Sequence, residues 1–350
     1  MNIDLLRRLC ETPGVPGREH RIRELIETEV EGLFDDVYTD PMGSLICTRY
    51  PTAEAGEDED AERILLLCHM DEIGFLVSHV SDKGFISIDP VGGFDARTLF
   101  ARRVLVCTED GDYKGVMNPG GKGLHISTPE ERKKLPEVTD FIVDLGFGEK
   151  TKDKVKVGDY IVMDEPFMEI GDKVVSKALD NRIACWLGIE VIKQLVEDKS
   201  KHACEIVVAF TAQEEVGLRG ARTASFGIDA DIAIGVDTTL SCDTPGTPEK
   251  DTITTQGKGV GLDIKDGSFI ADIDLVEELE AVASEKNVPT QRFILARGGQ
   301  DGAAGQQAGS GTRAAAIGVG TRYIHTVCEM IDKTDLTAGK DLLVAYLAKH

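Results

Sequence analysis

The sequence has no surplus of positive charge, no long apolar run and no paired cysteines, and each absence removes a class of function. Lysine and arginine total 39 against 62 aspartates and glutamates, a formal net charge of −23. Binding nucleic acid through its phosphates needs clustered cations, and none is visible, so no nucleic-acid partner is expected. Most of the acidity reads as a solvated surface. The longest apolar stretch, Ile64 to Cys68, is strand-sized, far short of the ~20 residues of a spanning helix, so no membrane partner is expected either. Met1-Asn2-Ile3-Asp4 has neither the basic start nor the apolar run of a signal peptide. The eight cysteines are scattered singly. Cys68, Cys107 and Cys204 fall inside apolar strands, which reads as buried free thiols in a reducing cytoplasm. The glycine-rich run Gly298 to Gly311 lacks the Gly-Lys-Ser/Thr ending of a phosphate loop and reads as a pocket-edge turn followed by a small-residue helix.

What is present is enough apolar residue, 41% of 350, for a large core and more than one domain. The pattern predicts a short helix over Asp4 to Cys10, a turn at Thr12 to Gly17 and an amphipathic helix from about Arg18 to Leu33. The acidic stretch Ala53 to Asp60 reads as a solvated loop, and Arg63 to Cys68 as a buried strand. From Gly74 to Phe167 the texture becomes short β runs: Gly74–Val80, Phe85–Asp89, Arg103–Thr108, Tyr113–Met117, Phe141–Asp144 and Tyr160–Met163. That spacing predicts a small β-barrel or sandwich inserted into another domain. Afterwards strands (Cys204–Thr211, Asp231–Val236, Gln291–Leu295, Arg313–Val319) alternate with helices (Asn181–Glu197, Asp272–Lys286, Asp335–Ala348). The fold class expected is α/β: a sandwich on a mixed, largely parallel sheet formed by residues 1–73 and 168–350, with a β-rich insert at 74–167.

In such a sheet, ligands bind beyond the carboxyl ends of the strands. His69 follows the 63–68 strand, Glu214 and Glu215 follow 204–211, Asp237 closes 231–236, His325 lies just past 313–319, and Asp180 stands at the mouth of the 181–197 helix. Each has an ordinary alternative: a rim histidine for His69 or His325, an N-cap for Asp180, a turn for Asp237, a helix-start charge pair for Glu214 and Glu215. Together they supply one sheet edge with two imidazoles and three carboxylates, His69, Asp180, Glu215, Asp237 and His325, with no thiolate among them. That donor set suits zinc, cobalt or manganese and points to a two-metal hydrolase. Asp71, two residues from His69 on an extended segment, points the same way and is placed to orient the imidazole.

The blocks His69-Met70-Asp71-Glu72-Ile73-Gly74-Phe75, Ala178-Leu179-Asp180-Asn181-Arg182, Gln213-Glu214-Glu215-Val216-Gly217-Leu218-Arg219-Gly220-Ala221 and Thr321-Arg322-Tyr323-Ile324-His325 resemble the tetrahedral (TET) aminopeptidases, of glutamyl and deblocking type. The resemblance runs from Pro13-Gly14-Val15, through Ser127 to Lys133 in the insert, to the last helix. It implies two divalent metals per subunit bridged by Asp180, with His69 and Asp237 on one and Glu215 and His325 on the other. It further implies Glu214 as general base, Asp71 as the orienting residue, peptides with a free N-terminus as substrates, and an insert that dimerises so that dimers build a dodecamer. Small departures are Asn181 where Asp is frequent, Thr326-Val327-Cys328-Glu329 in place of Ser-Pro-Ala-Glu, and Gly299-Gln300-Asp301-Gly302 in place of Gly-Gly-Thr-Asp-Ala. The last bears on side-chain preference. The alternatives are a different amidohydrolase or carboxypeptidase on the same metal pair, an endoglucanase (a label given to some relatives), or an inactive scaffold. A glycosidase leaves the two histidines unexplained, and a scaffold leaves Glu214 unexplained. His125, in the insert loop, reads more readily as a loop residue than as a substrate contact.

Overall fold

The computed structural model describes residues 1–53 and 61–350, so the acidic stretch expected as a solvated loop lies almost wholly outside the described residues. The strand Arg63–His69 organises the main body. Alternate side chains of Ile64, Leu66 and Cys68 join one core, and Leu65 and Leu67 join another. A strand apolar on both faces must lie in the middle of a covered sheet. It is flanked in parallel by Glu205–Thr211 and Ile232–Leu240, and the latter pairs in parallel with Arg313–Arg322. Each of these neighbours alternates in the same way, for example Ile206, Val208 and Phe210 against Val207 and Ala209.

Antiparallel strands Asp36–Thr39 and Leu45–Arg49 finish one side, and Glu329–Asp332, Lys173–Ser176 and Met168–Ile170 finish the other. Val260–Lys265 pairs with both Arg313–Arg322 and Thr290–Ile294. The sheet is therefore mixed with a parallel centre, as expected. The marginal strands are short and carry no sustained apolar alternation, so sequence pattern alone did not pick them out.

One face is covered by helices Ile3–Glu11, His20–Glu29, Leu179–Glu197, Ile273–Lys286 and Lys333–Leu347. Leu179–Glu197 is buried nearly all round, including Trp186 and Arg182. The other face is covered by Arg219–Ile228 and Gly302–Gln306, whose buried residues are mostly glycine and alanine. Those small residues let the helices sit close to the sheet but give little periodic signal, which is why Arg219–Ile228 went unforeseen.

Between His69 and the strand Lys173–Ser176 the chain makes a closed antiparallel barrel. Its order is Gly74–Val80, Phe85–Val91, Phe141–Asp144, Gly111–Pro119, Arg102–Thr108, Tyr160–Met163 and back to the first. Phe75, Val77, Ile86, Ile88, Val104, Val106, Met117, Phe141, Val143 and Ile161 fill it. Closure leaves no free edge. The bidentate contact of Arg21 with Asp112, 2.8 Å for each hydrogen bond, ties the barrel to the His20–Glu29 helix.

Candidate metal centre

The pairing that holds the sheet together stops where the candidate site begins. Strands 63–69 and 232–240 are paired from Ile64↔Ile232 to Leu67↔Gly235 and no further. The gap beyond leaves His69 and Asp237 on its two sides. The strand expected to end at Val236 runs on to Leu240, so Asp237 lies inside it rather than closing it. Glu214 and Glu215 follow Thr211 in a turn opened by Gln213 at φ 59°.

Asp180 is not the helix cap that its position suggested. The residues at 180 and 181 are non-helical, and the helix proper is capped by Asn181, whose Oδ1 accepts from Ala184 N at 3.2 Å. Asn181 Nδ2 donates to the Val236 carbonyl at 2.9 Å, a contact an aspartate could not make. Asp180 is thereby released to face the gap. Ala178, Gln213, Tyr323 and His325 have φ values of 57–62°. These left-handed positions are uncommon for non-glycine residues, and here they flank the groups facing the gap.

The side chains converge. Asp180 Oδ1 is 3.3 Å from His69 Nε2, and its Oδ2 is 3.6 Å from His325 Nε2. His69 Nε2 is also 3.7 Å from Glu214 Oε2 and 3.9 Å from Asp237 Oδ1. His325 Nε2 is 3.4 Å from Glu215 Oε2. All the ligand candidates read from the sequence thus come together, with Asp180 between the two imidazoles. They line a cavity of about 560 Å³, shared with Leu218, Leu240, Leu295, Ile324 and two exposed arginines, Arg222 and Arg297.

Two further carboxylates hold the cluster without facing the cavity. Asp71 is fully buried and accepts from Glu214 N at 3.0 Å and Glu215 N at 3.1 Å; one of its oxygens lies 3.5 Å from His69 Nδ1. The same Nδ1 lies 3.2 Å from the Asp71 carbonyl. Glu329 does the same work on the other side, accepting from His325 N at 2.8 Å and Asp180 N at 3.0 Å. Glu329 was not foreseen as a site residue. Its one sequence signal is a lone acid four residues past His325. Also unforeseen is the buried trio of Glu72, Lys177 and Arg182. Lys177 Nζ bonds both Glu72 oxygens at 2.7 and 2.8 Å, and Arg182 adds bonds to the carbonyls of Leu9 and Thr12. His125 is exposed and is not among the residues lining the cavity.

So much charge in one buried place shifts the groups that face the cavity. Burial opposes the His69 imidazolium, but Glu214, Asp180, Asp71 and Asp237 outweigh it and hold its pKa well above the usual value. His325 is likewise raised to about 10, with burial opposing and Glu215 and Asp180 favouring the charge. Burial raises Glu214 well above the carboxylate range, helped by Asp301, Asp237 and Glu215 against His69. Asp237 is pushed up in the same sense by burial and Asp180. Asp180 is held low: burial pushes it up, and its contacts with His69 and His325 more than offset this. Glu215 Oε1 is buried with no hydrogen-bond partner. An orphaned carboxylate oxygen among imidazole nitrogens and acids is the chemistry of a divalent-cation site, so the residues fit the metals that the donor set implies.

Both the sequence and the fold match known proteins. A family model described as M42 glutamyl aminopeptidase matches residues 51–342. The chain belongs to this family of aminopeptidases. Its fold matches that of a TET aminopeptidase from a marine-sediment Thaumarchaeota archaeon with a TM-score of 0.93, at 31% identity over 99% of this chain and 96% of that one. The TET1 peptidase of Pyrococcus horikoshii, whose structure is titled as able to assemble into a tetrahedron or a large octahedral shell, gives a TM-score of 0.86 at 31% identity, covering 99% and 98%. The lysyl aminopeptidase of Pyrococcus furiosus is 29% identical over 95% of this chain and 93% of its own.

Proposed function

We propose that the protein is a dinuclear metallo-aminopeptidase that removes the N-terminal residue of peptides. The observation that carries this reading is Asp180, which presents one oxygen to His69 and the other to His325. In this assignment Asp180 would serve both cations, with His69 and Asp237 as further ligands of one and Glu215 and His325 of the other. When bound, the pair of divalent cations supplies a water acidified toward neutral pH, polarises the scissile carbonyl and anchors a neutral α-amine. Zinc or cobalt suits the donors best, with manganese third.

The remaining work belongs to the chain. Glu214 is the group with a raised pKa that reaches the cavity without being needed as a ligand. It takes the proton from the attacking water and returns it to the leaving amine. Asp71 fixes the Glu214–Glu215 turn by its backbone, so that one carboxylate can ligate while its neighbour faces the water. Glu329 fixes Asp180 and His325 relative to each other. Leu218, Leu240, Leu295 and Ile324 give the first residue's side chain an apolar surface.

The insert supports a homo-oligomer. Val116, Ile126, Leu135 and Val157 are 51–74% exposed on the barrel and its loops, more apolar surface than an unpaired barrel needs to show. Dimerisation through the insert (74–167) and assembly to a dodecamer fit this surface. Sedimentation of the purified protein at micromolar concentration tests it; a monomer would remove the assembly from the reading.

A panel of aminoacyl-p-nitroanilides and one amino-blocked peptide, assayed after chelation and after adding back Co²⁺ or Zn²⁺, tests the activity. Metal-restored cleavage of the free-amine substrates alone is expected. Cleavage of the blocked peptide would move the assignment to another acyl substrate.

A further inference from the structure

Beside Asp237, next to the substrate cavity, lies a much smaller cavity of about 20 Å³. Its lining includes Asp263 and Asp266, from the strand Val260–Lys265 and the turn after it, with Thr239 and Gln300. It shares Asp237, Thr238, Thr239, Leu295 and Gly299 with the substrate cavity, so the two adjoin. Asp263, Asp266 and Thr239 are only 2%, 3% and 4% exposed. Asp263 Oδ1 and Thr239 Oγ1 are both buried without a hydrogen-bond partner. Asp266 is partly satisfied: its Oδ1 accepts from Ser268 N at 2.6 Å, and its Oδ2 receives only a 3.4 Å contact from Gln300 Nε2. Among the described residues neither carboxylate forms an ion pair with a lysine or arginine; Lys265 Nζ bonds the Asp266 carbonyl instead.

Two buried acids line this space with no basic partner. Burial and the neighbouring Asp266, which also hydrogen-bonds it, raise Asp263 to about 7, and the chain does not compensate the negative charge the pair carries. The space fits one water-sized particle. The donors are all oxygen, which suits a hard cation or an ammonium group rather than a transition metal.

We propose that the Asp263–Asp266–Thr239 cavity is a cation subsite, distinct from the Asp180 cluster, that takes one small desolvated cation through oxygen donors. The cation has two possible sources: a free ion of the potassium, sodium or calcium kind, or the terminal ammonium of a basic side chain on the substrate's first residue. Only the second source rests on the aminopeptidase reading. Arg222 and Arg297 on the substrate cavity do not cancel this preference, because they are exposed and screened while the two acids are buried.

The test uses metal-reconstituted wild-type protein and Asp263→Asn, which keeps the shape and removes the charge. In the first arm, thermal unfolding midpoints are compared in potassium, sodium, ammonium, calcium and choline chlorides at matched ionic strength. A free-ion site predicts a higher midpoint in one or more small-cation salts than in choline, and loss of that difference in Asp263→Asn. In the second arm, kcat/KM is measured on lysyl-, leucyl- and glutamyl-p-nitroanilide. A substrate ammonium predicts that the lysyl-to-leucyl ratio falls about tenfold or more in the variant. Should the variant fail to fold, the wild-type salt response and Thr239→Val, which deletes only the orphaned hydroxyl, decide the matter in both arms. No salt response and an unchanged ratio would mean a buried water alone and would overturn the proposal. If the wild type cleaves no substrate at all, the aminopeptidase reading falls independently, and the melting arm alone decides the cation site.

Discussion

The sheet and the barrel solve the same burial problem differently, and the difference explains where the chemistry sits. In the sheet, the central strands are apolar on both faces, so polar side chains have room only where the strands run out. The candidate ligands are found there, His69 and Asp237 on the strands themselves and His325 at a left-handed φ beyond them. In the barrel the inward residues fill a core of their own, each strand pairs on both sides, and no edge opens. It has buried volume without a mouth. A covered sheet thus concentrates function at its edge, while a closed barrel is left with its outer wall as the surface for contacts.

Four experiments would break or sharpen that contrast, taken from the largest effect downward. Glu214→Gln should lower hydrolysis by roughly 10²–10⁴-fold while the metal content found by elemental analysis stays that of the wild type. Full turnover in a metal-replete variant would sink the general-base role. Glu329→Gln keeps one acceptor oxygen but sets an N–H against the second backbone N–H. Either Asp180 or His325 loses its tie, and a loss of about 10–100-fold in metal affinity or activity is expected. Equilibrium dialysis should show it as a weakened second equivalent of metal, whereas a merely structural role would lower only the melting temperature.

Proton release comes third. In the metal-free protein the acids around it raise His325 to about 10, so at pH 7 the imidazole carries a proton that must leave when a cation binds. Adding metal to weakly buffered protein should acidify the solution, and apparent affinity should drop as pH falls. A pH-independent affinity between 6 and 8 would contradict the ligand assignment. Last, Phe141→Ala in the barrel should cost about 3–5 kcal/mol of stability with kcat of the folded protein unchanged. A large kcat change would show that barrel and sheet edge are coupled after all.

The strongly periodic parts of the molecule were legible in the sequence because burial on one or two faces writes directly into residue order. Gly74–Val80, Phe141–Asp144 and Tyr160–Met163 match residue for residue. The candidate site could be proposed from sequence because most of its members follow strands. What escaped depends on side-chain reach and backbone capping. Nothing in the order of residues shows that Asn181 caps the helix in place of Asp180, or that Glu329 bonds two backbone amides 149 and 4 residues away. The Gly/Ala face of Arg219–Ile228 escaped for another reason: close packing needs small residues, and small residues carry no hydrophobic signature.

The order of the site residues along the chain also bears on how the protein is made. Of these residues His69 and Asp71 are synthesised first, the barrel comes next, and Glu214, Glu215 and Asp237 follow it. His325 and the Glu329 that fastens it come last of the group. Domains of a nascent chain fold as units, N-terminal parts first, so the barrel can close early while the sheet edge still lacks its final imidazole. A nascent chain therefore lacks part of the candidate centre until His325 and Glu329 have been made.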